Sequence, residues 1–449
     1  MTPQHPQGHV FYRKLWHDYP TIVRAEGVYL IAEDGRRYMD AAGGALVVNI
    51  GHGVEAVADA IARQARQVAY VHGEKFTTPV MEEYAAALAG VLPLPDARIF
   101  PLTTGSEANE AAIKLARQVQ MVRGQASRHL VIGRWNSYHG ITLGTLAVGG
   151  RRTARSRFLP MFVDVPHIEP PTCYRCPFGL RYPDCGLACA HMLERTITAY
   201  GPEQIAAFIA EPVSGAALAA TVPPPDYWPT IRDICDRYGV LLIADEVMCG
   251  FGRTGRWCAF EHFGFTPDIL TMGKGVAGGV FPLAVMAARG ALVDELYAAG
   301  QDVSHGGTFS HHPVGAAAGL ATLRYVQEHD LVSAAAHKGE QLGRLLHQAL
   351  DDLAGVGDVR GLGLMWGVEF VADRASKTPF DPRLDVAHRV FSAARDLGLM
   401  LYPGRGAADG TAGDTVMIGP PAIISEEEME QAVALLAQAV RQALGPLLK

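Results

Sequence analysis

The chain reads as an α/β protein, with a mostly parallel central sheet in a large domain and a smaller domain built from both ends. Three observations predict this. The apolar runs "HLVIG" (129–133), "AAFIAEP" (206–212), "GVLLIADE" (239–246) and "DILTMGK" (268–274) are short and bounded by turn residues. Helical stretches separate them, which is how a sheet buried on both faces is written in sequence. At 449 residues the chain is also too long for one small core and calls for two or three lobes.

In chain order, residues 1–60 are irregular with short strand-like pieces, and "EDGR" forms a turn inside "GVYLIAEDGRRYMDAAGG". Helical spacing then sets in over "AVADAIARQARQVA" (56–69) and "EEYAAALAGVL" (from 82). The four apolar runs follow, and residues 61–315 make the large domain. Residues 316–449 form the rest of the small domain. Two helical segments, "GAAAGLATLRYVQEH" and "KGEQLGRLLHQALDDLA", lead into it. "VGDVRGLGLMWGVEFV" reads as a hairpin, and "SEEEMEQAVALLAQAVRQAL" as a closing amphipathic helix with Ser425 as N-cap. There is no internal repeat, low-complexity segment or flexible linker.

Composition excludes several classes. A net charge of −7 gives no basic footprint for nucleic acid. No uncharged apolar run reaches 18 residues and no signal-peptide layout is present, so the expected location is cytoplasmic and away from the membrane. Seven cysteines, an odd number, are expected to be reduced thiols.

Ligands of open α/β sheets collect at the carboxyl ends of the strands. Glu211 ends "AFIAE", Asp245 ends "VLLIAD" and Lys274 ends "ILTMGK", so three ionisable groups are expected on one sheet edge. In "LTTGSEANEAAIKLARQ", Thr104, Gly105 and Ser106 precede a helix, and free N–H groups there would hold a phosphate. The plainer alternative is an N-cap, with Ser106 capping and Glu107 and Glu110 favouring the helix dipole. A phosphate cup, a lysine in apolar surroundings and a strand-end carboxylate together suggest pyridoxal 5'-phosphate (PLP). Such a lysine has a lowered pKa and can form a Schiff base, while a carboxylate keeps the pyridine nitrogen protonated.

"LIADEVMCGFGRTG" followed by "PDILTMGKGVAGG" resembles the pattern of class III (ω-type) aminotransferases. "TTGSEANEAAIKLAR", "SYHGITLGTLAVGG", "AEPV" and "GGTFSHHP" match in the same order, so the resemblance runs along essentially the whole chain. It implies the PLP-dependent transferase fold of the aspartate-aminotransferase type (fold type I) and a ping-pong transfer of an amino group to an oxo-acid, pyruvate or 2-oxoglutarate. Lys274 would carry the Schiff base and move the proton, and Asp245 would hold the pyridinium. Val247 and Tyr138 would pack on the two ring faces, with His139 and Gly140 shaping the turn. Gly105 and Ser106 would bind the phosphate, with Thr308 from the partner subunit of a homodimer or dimer of dimers. Glu211 is expected near the phenolic oxygen or the substrate.

The substrate side rests on two weaker signals. Arg405, between glycines in "LMLYPGRGAADG", is a candidate mobile partner for the acceptor carboxylate, although Tyr402 stands closer to the arginine position of amine–pyruvate relatives. Its loss is expected to weaken the oxo-acid half-reaction most. "AAGGALVVNIGHG" (41–53), including Leu46, resembles the site entrance and supplies only small and aliphatic side chains, which favours an alkyl amine or aliphatic ω-amino acid donor. Cys173, Cys176, Cys185 and Cys189 space as C-x2-C-x8-C-x3-C, a template for a structural zinc or iron–sulfur centre or a set of reduced thiols in an excursion. On the same fold, a decarboxylating dialkylglycine-type transaminase, an aminomutase and a racemase share these cofactor residues. A dinucleotide-binding oxidoreductase lacks its G-x-G-x-x-G, and a non-catalytic metal-binding regulator leaves the lysine unexplained.

Overall fold

The computed structural model describes residues 9–15 and 19–448. Its main sheet has seven strands, in the spatial order Arg98–Leu102, Ala284–Ala288, Ile269–Met272, Leu241–Asp245, Ile205–Ala210, Leu130–Arg134 and His167–Ile168. The five strands from Ile269–Met272 to His167–Ile168 pair in parallel. Ala284–Ala288 runs antiparallel to both of its neighbours. The central strands are buried along their whole length, as expected of a sheet covered on both faces.

Each cover follows from composition. Helix Gly105–Val122 lays Ala108, Ala111, Ala112, Leu115 and Ala116 against Ala207, Ile209, Ile243 and Ile269. Its small residues let it lie close to the sheet where the site is built. On the other face, helix Tyr227–Tyr238 buries Trp228, Ile231 and Ile234. Trp228 stacks on Phe265 at 4.6 Å and donates its indole N–H to Pro212 O at 3.0 Å, which fixes the turn after Glu211.

Two four-stranded sheets complete the fold, the first of which joins the two ends of the chain. Ile22–Glu26, Tyr29–Ala32 and Arg37–Asp40 are completed by Leu399–Met400, paired in parallel to Met39 and Asp40. The hairpin Val356–Leu362/Met365–Phe370 extends through Asp414–Ile418 to Tyr402–Arg405. Ser425 caps helix Glu426–Leu444 in a capping box with Glu428. Buried arginines tie these sheets to the site loops. Arg253 donates to Leu364 O and Pro420 O, and Arg360 donates to Leu218 O and Ala219 O.

His167, at the start of the last strand, is held neutral. Burial first, and the Arg155 charge second, push its pKa from 6.5 down to about 4. The unfolded chain therefore binds this proton at a higher pH than the folded one. The associated stability is full above about pH 6.5 and is lost as the pH falls towards 4. The size expected is roughly 1–3 kcal/mol. Urea unfolding at pH 7.5 and 4.5 should show a smaller acid loss in His167→Gln than in the wild type; identical losses would reject the assignment.

Candidate active site

Parallel register brings the three strand ends together. Ala210 lies opposite Ala244, and Asp245 opposite Thr271, so Glu211, Asp245 and Lys274 finish neighbouring strands on one edge. All three line a cavity of about 380 Å³. Lys274 sits in the left-handed region at φ 50°, a sparsely populated conformation for a residue with a Cβ. Loss of solvation lowers the pKa of its amine, against the opposing pull of Asp245 and Glu211.

Asp245 is buried and its carboxylate is almost fully engaged. Oδ1 accepts from Val247 N at 3.0 Å, and Oδ2 accepts from His139 Nδ1 and Asn109 Nδ2, both at 2.8 Å. Asn109 also donates to His139 O at 2.8 Å and accepts from Thr271 Oγ1 at 2.7 Å. Sequence reasoning missed Asn109. Its only signal was an amide on the otherwise alanine-lined face of its helix. Glu211 accepts from Gly215 N at 3.1 Å through Oε1, and its Oε2 lies 3.8 Å from Arg134 Nη2. Burial raises its pKa, opposed by His139 and Arg134. Glu211 Oε2 and His139 Nε2 are buried without a hydrogen-bond partner among the described residues.

The helix N-terminus forms another wall. Thr104, rather than Ser106, is the N-cap, accepting from Glu107 N at 3.2 Å. Ser106 Oγ instead accepts from Ile141 N at 3.0 Å, tying the helix start to the turn after His139. Gly140, at φ 142°, allows that approach: a Cβ there would stand 2.5 Å from Ser106 Oγ. A Cβ on Gly105 would meet Val247 Cγ1 at 2.8 Å, so the helix start, Val247 and the lysine strand pack without slack. Gly105, Ser106, Tyr138, His139 and Val247 all line the cavity. Burial first, then Tyr402, raises the Tyr138 phenol pKa.

Other candidates lie elsewhere. Leu46 is buried in the core with its side chain against Gly419, and the neighbouring Val47 lines the cavity in its place. Arg405 lies outside the cavity lining, donating to Pro382 O and pairing with Asp385 at 3.4 Å and Asp414 at 3.8 Å. Thr308 is exposed and away from the cavity of its own chain. Cys173, Cys176 and Cys185 are free thiols in an excursion between strand His167–Ile168 and helix Ala188–Tyr200, and Cys189 is a free thiol in the first turn of that helix. Among the described residues, no group of three or more His, Cys, Asp or Glu side chains is arranged to hold a metal ion. The excursion docks on the hairpin Val356–Leu362/Met365–Phe370 and the loop after it: Arg175 pairs with Glu369, and Lys377 donates to Tyr174 O at 2.6 Å.

A cavity of this size fits PLP. One lysine amine, a carboxylate with an acceptor position to spare, first-turn N–H groups without helical partners and two buried polar atoms unpartnered among the described residues face or adjoin it. Fold and site together define an enzyme of the PLP-dependent fold type I class. The class-III aminotransferase family model matches residues 14–440. The chain belongs to the class-III aminotransferases, and is a PLP-dependent transaminase. It is 38% identical to the Bacillus subtilis aminotransferase YodT, over 94% of this chain and 95% of that one. It is 33% identical to a putrescine–pyruvate aminotransferase of Pseudomonas aeruginosa, over 95% and 91% of the two chains. An amine transaminase from an uncultivated Pseudomonas species, solved in its PLP-bound form, superposes with a TM-score of 0.88 at 33% identity, over 99% of this chain and 98% of that one.

Proposed function

We propose that the enzyme moves an amino group from an alkyl amine or aliphatic ω-amino acid to a small oxo-acid by a ping-pong mechanism, with Lys274 as the attachment point and proton carrier. The observation that carries this reading is the Lys274 amine, desolvated on a strand end beside Asp245 and Glu211 in a cavity of about 380 Å³. When bound, PLP supplies an electron sink for the carbanion left when the substrate loses its proton.

The residues divide the remaining work. Gly105 and Ser106 N–H groups would hold the phosphate, and Asp245 would hold the ring N–H. Val247 and Tyr138, which line the cavity, would confine the ring faces. Lys274 Nζ, more readily unprotonated because its pKa is lowered, takes the proton from the substrate carbon that bears nitrogen and returns it during transfer. Glu211, whose Oε2 has no hydrogen-bond partner among the described residues, lines the same cavity. Val47, Val213, Ala216 and Leu283 offer the donor chain small and aliphatic contacts. That lining, and the putrescine named for the P. aeruginosa relative, support an alkyl donor. In a panel read by the spectral change of the first half-reaction alone, aliphatic diamines and ω-amino acids should react at least about 10-fold faster than aryl amines, the worth of one or two well-filled apolar contacts. Faster aryl amines would sink the donor assignment.

Arg405 can meet an acceptor carboxylate only by leaving Pro382, Asp385 and Asp414. Arg405→Ala should therefore alter either half-reaction by less than about threefold, the scale of a rim charge. A selective loss of the oxo-acid half-reaction would restore Arg405 as the swinging arginine.

We also propose a homodimer with shared sites. Phe309, beside Thr308, is 58% exposed and packs edge-on against Tyr70, and Phe76 and Ile141 are 66% and 68% exposed. Apolar exposure of that kind supports a covering second copy that would bring Thr308 to the partner's phosphate. The unpaired cysteines fit a reducing, cytoplasmic setting.

A further inference from the structure

We propose that Asn109 is a positioning residue that dictates which oxygen of Asp245 receives the cofactor's ring N–H, and that Thr271 sets Asn109. The proposal rests on the role given above to Asp245.

An ionised carboxylate has about four acceptor positions, two on each oxygen. In Asp245 both positions on Oδ2 are taken, by Asn109 Nδ2 and His139 Nδ1, each at 2.8 Å. One position on Oδ1 is taken by Val247 N at 3.0 Å. The one position left is on Oδ1, in a residue that lines the cavity. Saturating Oδ2 thus does two things. It places two donors on one oxygen of a buried carboxylate, which holds the carboxylate in one orientation, and it removes the competing direction in which a ring N–H could be received.

The orientation of Asn109 leaves it no alternative. Both partners of Nδ2, His139 O and the Asp245 carboxylate, can only accept, so the amide nitrogen must face them and Oδ1 must face Thr271. Thr271 donates to that oxygen at 2.7 Å, and its own carbonyl accepts from Glu246 N at 2.8 Å. Thr271 therefore braces both the amide that orients the carboxylate and the backbone that follows it. Asn109 and Thr271 are buried, at 1% and 0% exposure, so water cannot substitute for either group.

The test is the 15N resonance of ring-labelled PLP bound to the holoenzyme, read beside kcat and the PLP dissociation constant. In the wild type the ring nitrogen should be protonated. Asn109→Ala should move the resonance toward the unprotonated position and lower kcat by roughly 10- to 100-fold, the scale on which partners behind a first contact act. Thr271→Val should move it the same way by less, and the double variant should be no worse than Asn109→Ala alone, because both act on one carboxylate. An unchanged ring-nitrogen signal in Asn109→Ala would overturn the proposal even if activity fell, since lost packing lowers kcat without touching that proton. If Asn109→Ala does not fold, Thr271→Val decides by the same signal. An unprotonated nitrogen in the wild type would instead remove the assignment of Asp245 itself, a separate failure visible before any variant is made.

Discussion

Lys274→Ala should fold as the wild type does and lose turnover by at least about 10⁴-fold, the scale seen when a covalent participant is removed. The two halves of that expectation have different grounds. No hydrogen bond among the described residues holds Lys274 Nζ, so the fold does not use it. Its pKa is lowered, chiefly by loss of solvation, so the charged amine is less favourable in the folded apoenzyme than in the unfolded chain. The sign of the stability effect follows. The unfolded lysine binds its proton up to about pH 10.4 and the folded one releases it earlier, so the folded state carries a penalty below its own pKa that fades as the pH rises through that window. Lys274→Ala removes the penalty. The variant apoenzyme should melt no lower than the wild-type apoenzyme near neutrality, and its advantage should shrink as the pH rises towards about 10.4. Activity surviving within about 100-fold would reject Lys274 as the proton carrier. Collapse of the fold would reject the claim that its burial is a functional cost.

What could be read in the sequence, and what could not, divides along the range of the interactions. Glu211, Asp245 and Lys274 were visible because each breaks an apolar run at its last residue, and parallel pairing then places equivalent ends side by side. Asn109 was not visible, because its partners Asp245 and Thr271 lie 136 and 162 residues away. Strand Ala284–Ala288 has a sequence, "AVMAA", in which Val285 alone favours a strand, and pairing on both sides holds it as one. Arg405 between glycines read as mobile, yet it belongs to strand Tyr402–Arg405, with Arg405 opposite Asp414 in the ladder. Leu46 and Val47 follow two glycines of positive φ, where no periodicity tells which side chain faces the site. At the helix start two hydroxyls compete for one cap, and the helix beginning at Gly105 gives it to Thr104.

Asp245→Asn is the second large effect, expected to lower kcat by roughly 10³- to 10⁴-fold, the scale on which an isosteric amide for a buried carboxylate acts. The loss follows from hydrogen-bond polarity as well as from charge. Asn109 and His139 donate to one oxygen, so the amide oxygen of the substituted residue must take that position. Its NH₂ group is then turned toward Val247 N–H and the ring N–H, two donors against a donor. The opposite rotamer sets the NH₂ against Asn109 and His139 and is no better. No orientation of asparagine serves this site, so PLP should bind more weakly and its ring nitrogen should lose its proton. Asp245→Glu keeps the charge and misplaces it by one methylene, which should recover part of the ring-nitrogen protonation and little of kcat. If Asp245→Asn held kcat within about tenfold of wild type, the electron sink would not depend on this carboxylate, and the distinction drawn between Oδ1 and Oδ2 would lose its chemical consequence.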